Sequence, residues 1–266
     1  MKTLRHALWI PALTITLAAQ EIAAPPSPEK TELAGKAEPL EFALAMDLYQ
    51  ARRYLEARQK FTALKESLES VTTAPNHPST LAGFYEMECF RRLGDLDALA
   101  AASRNFVKTS LTRKHQLRQL ELYQLWLLVR DKDWLRLEAA AKKPTAKYLP
   151  GDQRAQIAYC HALALEAMGR TGEAIAAYQT AITADAGGSE EITRQAVLRI
   201  LQIHRSDADV QAAMKRWNTL SGDENPAARR NLAEAVALAT LFELALGGDA
   251  KLPAEFRVFL SFKEVR

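Results

Sequence analysis

Apolar residues recur every three or four positions from Phe42 onward, as Phe42, Ala45, Met46, Leu48 and Tyr49. Arg52-Arg53 interrupts this stripe, and Tyr54, Ala57, Phe61 and Leu64 form a second one. Such spacing gathers apolar side chains on one face of a helix. Two stripes separated by so short a break predict an antiparallel helical hairpin. The pattern then returns along the chain. Pro75-Asn76-His77-Pro78 marks a turn, after which Ser79 or Thr80 is placed to cap a helix. Helices are predicted over 81–93 and 96–106 around Gly94-Asp95, and over 114–130 and 134–142 around Asp131-Lys132-Asp133. A break at 144–151 precedes 153–168 and 172–183, which turn at Gly169 and end at Gly187-Gly188. A fifth pair is predicted at 190–204 and 207–219, then a long helix at 227–246 stopped by Gly247-Gly248, then a short helical piece at 254–262. Ala, Leu, Arg, Glu and Gln dominate, all good helix formers, and β-branched alternation is almost absent. The fold class is all-α.

Two segments share one frame. Leu48, Ala57, Phe61 and Leu64 in the first match Leu165, Ala174, Tyr178 and Ala181 in the second. Taking Ala57 as a small residue at a close helix crossing, its equivalents are Ala100, Leu137, Ala174 and Ala213, at intervals of 43, 37, 37 and 39 residues. Leu137 breaks the small-residue rule. Phe61, Tyr178 and Trp217 stand four residues further on, on the same helical face. This frame resembles the tetratricopeptide repeat. In 155–186 the family pattern is matched by Ala162, Leu165, Gly169, Ala174, Tyr178 and Ala181, with Ala158 and Ala186 where the family has Trp and Pro. In 41–64 it is matched by Leu44, Ala45, Leu48, Tyr54, Ala57 and Phe61, with Arg52 replacing the turn glycine. The other pairs match loosely. The resemblance implies a right-handed α-solenoid of about five helix-turn-helix hairpins plus C-terminal capping helices. First helices would line a concave, partner-binding face, and terminal repeats would need polar caps.

The N-terminus predicts three parts. Lys2, Arg5 and His6, an apolar run over 7–18 and the small Ala18-Ala19 read as a signal peptide, 1–19. Residues 20–38, with three prolines, read as a flexible tether; 39–266 is the repeat domain. Export, to the periplasm or beyond, follows. No permanent membrane span is expected after cleavage, since the run is shorter than the roughly 20 residues a spanning helix needs. The chain carries 35 basic and 32 acidic side chains, and Lys2 and Arg5 leave with the signal, so the mature net charge is about +1. Near neutrality removes the general electrostatic case for nucleic acid.

Catalytic motifs are missing: there is no HExxH, CxxC or GxSxG. No cofactor or metal is expected, and the five histidines do not pair at ligand spacing. Glu86/Glu88 and Glu190/Glu191 read as solvated helix charges, and Cys89 and Cys160 as buried free thiols. Projecting the family's concave positions selects Phe42, Met46 and Tyr49, then Phe84, Glu88, Arg91 and Arg92, then Leu122, Trp126 and Arg130, then Tyr159, Leu163 and Glu166. Aromatic residues and arginine concentrate binding energy. The stripe therefore suits a protein or peptide with some negative charge, held by an adaptor in cell-envelope assembly or maintenance. The same residues alternatively pack between hairpins. The alternative function is a helical subunit of, or accessory to, a cell-wall enzyme; self-association is a further possibility.

Overall fold

Four tight turns, each built the same way, set the architecture. A computed structural model describes residues 38–68, 77–106, 111–142, 149–184, 190–217, 225–246 and 251–262. The signal segment, the tether up to residue 37 and both Gly-Gly breaks lie outside these residues. Within them run α1 (Glu38–Gln50), α2 (Tyr54–Ser67), α3 (Pro78–Leu93), α4 (Leu96–Asn105), α5 (Lys114–Asp131) and α6 (Trp134–Ala141). They are followed by α7 (Gly151–Ala167), α8 (Thr171–Ala184), α9 (Glu190–Ser206), α10 (Ala208–Arg216) and α11 (Pro226–Leu241). A π-helical turn, Phe242–Leu246, and a 3-10 helix, Ala254–Ser261, complete the described chain.

In the first four pairs one residue adopts the left-handed conformation between the helices: Arg52 (φ 62°), Gly94 (φ 74°), Lys132 (φ 56°) and Gly169 (φ 75°). The next N–H reaches back five residues, as in Arg53 to Leu48, Asp95 to Phe90, Asp133 to Leu128 and Arg170 to Leu165. This Schellman arrangement satisfies carbonyls that the ending helix would leave orphaned. Arg52 and Lys132 accept a conformation that glycine adopts without strain.

The turns fix the register of the second helices. Ala57, Leu99, Leu137 and Ala174 each donate their N–H four residues back, to Arg53, Asp95, Asp133 and Arg170, and all four are fully buried. The equivalent of Ala57 in the second pair is therefore Leu99, one residue before the expected Ala100. Leu137 keeps the same backbone place with a larger side chain. The second and third pairs cap α4 and α6 with Asp95 and Asp133, whose carboxylates accept from Ala98 and Arg136 N–H groups at 3.0 and 3.3 Å. The first and fourth pairs instead join Arg53 to Glu56 and Arg170 to Glu173.

The fifth pair departs from the scheme. No positive-φ residue divides α9 from α10. Asp207 caps α10 by accepting from Asp209 N–H at 2.8 Å, and Val210 is the buried residue, whereas the expected Ala213 is only partly covered. A further correction concerns α3. Its cap is His77, whose Nδ1 accepts from Ser79 N–H at 3.3 Å, and not Ser79 or Thr80. Pro78 takes the first helical position, where a missing N–H costs nothing.

Each helix packs on the next from α1 to α11, with additional contacts between α1 and α3, α5 and α7, α7 and α9, and α9 and α11. This sequential packing is consistent with a helical repeat array. Three apolar clusters follow the order of the chain. Ala57, Phe61 and Leu64 lie in the first. Leu99, Tyr123, Leu137 and Tyr178 lie in the central one. Val197, Leu232, Phe242 and Phe259 lie in the last, where the 3-10 helix covers α11.

Candidate functional site

The odd-numbered helices bring charged and aromatic side chains together around one carboxylate. Glu88 on α3 accepts from Tyr123 Oη of α5 at 2.6 Å and from Tyr49 Oη of α1 at 3.3 Å. One helical turn along α3, Arg91 grips the same carboxylate, its Nη2 3.1 Å from Oε2 and its Nε 3.3 Å from Oε1. Arg92 Nε lies 3.9 Å from Glu88 and Arg92 Nη1 donates to Glu191 of α9 at 3.0 Å. That last bond joins residues 99 apart and links α3 directly to α9. Both guanidinium groups also sit over rings: Arg91 over Trp126 at 5.8 Å and Arg92 over Tyr54 at 5.7 Å.

Glu88, Arg91 and Tyr123 are buried. Burial alone would push the Glu88 carboxyl upward, but Arg91 and Arg92 outweigh it and hold the group at about 2. Burial, reinforced by Glu88, pushes the Tyr49 and Tyr123 phenols up. Both phenols therefore stay protonated and donate. Glu88 is thus a fixed anion and not a proton donor, which would need a raised pKa. Arg91 Nη1 is buried and without a hydrogen-bond partner, a group that a water could satisfy.

Neutral polar groups extend the layer. Gln119 of α5 and Gln156 of α7 exchange hydrogen bonds at 3.0 and 3.2 Å, and Trp126 Nε1 donates to Gln156 at 3.1 Å. Tyr159 lies beside Trp126, ring centres 6.0 Å apart. Further along, Arg199 of α9 pairs with Glu166 at 3.2 Å, and Tyr178 donates to the same carboxylate at 2.6 Å.

The structure thus assembles Tyr49, Glu88, Arg91, Arg92, Trp126 and Tyr159 into one neighbourhood. Phe84 is buried between Tyr85 and Tyr123. Phe42 packs edge-on to Phe61 and Tyr85 in the first hairpin's cluster, with Met46 beside them. Arg130 lies apart, paired with Asp131 at 2.7 Å and near Asp97 of α4 at 3.9 Å. Phe84, Glu88, Arg91, Trp126 and Tyr159 are all buried by neighbouring hairpins. The solvent-reaching groups of this layer are Glu166, Glu191, Arg92 and Arg199, the last with its side chain 44% exposed.

One sequence expectation is overturned here. Glu86 and Glu88 are not solvated: both are buried, and Glu86 accepts from Thr62 at 2.6 Å and from Lys65 at 2.7 Å across to α2. Tyr123 lies outside the row that the sequence projects from this helix, Leu122, Trp126 and Arg130. The inner row of α5 is Gln119, Tyr123 and Trp126. Its signal was a polar residue followed, four and seven positions on, by two aromatics. Glu191 and Arg199 carry no such local signal.

Cys89 and Cys160 are free and buried. Burial pushes the Cys89 thiol up to about 12 and the Cys160 thiol upward as well, so neither is a ready nucleophile. Among the described residues no group of three or more His, Cys, Asp or Glu is placed to hold a metal ion. No described helix is long and apolar enough to cross a membrane. Comparison with family models, curated proteins and solved structures yields no match.

Proposed function

We propose that this protein is an exported, tetratricopeptide-like scaffold that binds a protein or peptide across the inner face of a right-handed solenoid. Its setting would be cell-envelope assembly or maintenance. One observation carries the reading: helices of the first, second and fifth hairpins contribute Tyr49, Arg92, Glu191 and Arg199 to one side-chain layer. The buried Glu88 network fixes that layer before any partner arrives, so little conformational entropy remains to be lost on binding. The fringe of exposed Arg199 and partly exposed Glu166 and Glu191 carries both signs, which suits an extended peptide with alternating charge and aromatic side chains.

The experiment is affinity capture of the mature protein from its own cells, compared with an Arg92→Glu, Arg199→Glu variant of matched thermal stability. Loss of specific co-purifying protein from the variant is the expected result. Equal recovery with both baits removes the inner face from the interaction.

A further inference from the structure

The first and last α-helices each carry a solvent-facing stripe beside their packed face. On α1 the outward stripe is Leu40, Ala43, Leu44 and Asp47, continued by Ala51 in the turn that follows, and each of these is exposed. Leu40 is 66% and Leu44 45% exposed. These positions fall within one face of a 3.6-residue helix. On α11 the outward stripe is Arg230, Ala233, Ala237 and Leu241, continued by Leu244 in the π turn, and each is again exposed. Leu241 is 38% and Leu244 82% exposed. A terminal repeat normally turns a polar face outward, and an apolar stripe on the surface marks an interaction site.

We propose that a second copy of this chain docks end to end, α11 of one copy lying antiparallel against α1 of the next. The alignment follows from charge and volume. Asp47 and Arg230 sit within the two stripes with opposite signs, and among the described residues neither takes an ion pair. Setting Asp47 opposite Arg230 and running the helices antiparallel, at about 1.5 Å per residue, brings Leu44 to Ala233 and Leu40 to Ala237, with Leu241 and Leu244 lying past the first residue of α1. Large side chains of one helix then enter the spaces over small ones of the other. The contact also continues the packing inside the molecule, where each helix lies on its successor. It is heterologous, since the two faces differ, so it propagates or closes only as a ring.

The test is sedimentation of the full chain over a dilution series, with charge-swapped variants. The wild-type chain is expected to show an average mass that rises above one chain with concentration. Asp47→Arg alone and Arg230→Asp alone are expected to abolish the rise, because each sets like charges across the contact. An equimolar mixture of the two should restore it, since every contact between unlike copies again pairs opposite charges. The double variant should regain self-association for the same reason. A wild-type chain that stays monomeric at all concentrations overturns the proposal. Sensitivity to Asp47→Arg but not to Arg230→Asp also overturns it, since that indicates a symmetric α1–α1 contact. Circular dichroism of each variant separates these outcomes from unfolding, and both sites are exposed.

Discussion

Removing the charge of Glu88 is the sharpest perturbation of the inner layer. Glu88→Gln keeps the shape but leaves Arg91 buried without its anion, and takes from Tyr123 its 2.6 Å acceptor charge. Breaking a buried pair from one side costs about 3–5 kcal/mol, because the remaining charge is uncompensated. A second route gives the same scale. The folded carboxyl is held at about 2 against an ordinary 4.5, and that depression corresponds to roughly 3 kcal/mol. A depressed carboxyl contributes its stability above the unfolded pKa and loses it as pH falls toward the folded one. The wild-type protein should therefore lose that increment between roughly pH 5 and pH 2, and the variant should lack that part of its acid limb. The assay is urea unfolding followed by circular dichroism at several pH values. A domain with about 5–15 kcal/mol in reserve stays folded at neutral pH, so the loss is measurable. Adding Arg91→Met to Glu88→Gln should recover part of it, since an apolar replacement leaves no orphaned charge. A cost below about 1 kcal/mol, the range of exposed pairs, together with an unchanged acid limb, would show that Glu88 is not held as a buried anion by Arg91.

Lys132→Gly should stabilise by about 0.5–1 kcal/mol, because the exposed lysine holds φ 56° and glycine does so without steric cost; chemical denaturation reads the midpoint shift, and a lower midpoint contradicts the turn assignment. Gly151→Ala should destabilise by about 1–3 kcal/mol, since an added Cβ would lie 2.6 Å from the Ala184 carbonyl oxygen; an unchanged melting temperature would show that the two helix ends separate freely. Both thiols should resist a thiol reagent in the native protein and react together on unfolding, given their burial; rapid native labelling of either would contradict its packing. Above pH 10 the protein should lose stability, because the raised phenols of Tyr49 and Tyr123 contribute below their unfolded pKa and oppose ionisation above it; alkaline titration of tyrosine absorbance showing all seven phenols ionising normally would contradict their burial.

The hairpins were legible because their signals are local. Arg53, Ala57 and Phe61 reappear as Arg170, Ala174 and Tyr178, and the apolar period between them needs no tertiary information. Asp95 with Leu99 and Asp133 with Leu137 form a second type of hairpin, which a search for small residues passes over. The turns at Arg52 and Lys132 are still legible from the breaks Arg52-Arg53 and Asp131-Lys132-Asp133, although side chains other than glycine occupy the left-handed position there. The fifth pair closes with Asp207 and Val210 on a different turn, so extrapolating the frame to Ala213 fails by three residues. The inner layer was only half legible. Tyr49, Glu88, Arg91, Arg92 and Trp126 were selected and do meet. Burial of Glu86 and Glu88 depends on Lys65, Tyr123 and Tyr49 arriving from other helices, and acidic residues on a helix normally face water. The Arg92–Glu191 bond depends on how α3 and α9 come together across 99 residues, and no spacing rule reaches that far.

Site-specific photocrosslinking in the protein's own cells decides whether the Arg199 side of the layer meets a partner. A photoreactive residue placed at Arg199, on the inner layer, is compared with one at Gln211, exposed on α10. A discrete adduct with another protein is expected from position 199 and none from position 211. The same adduct from both positions, or none from position 199 in correctly folded protein, would contradict it.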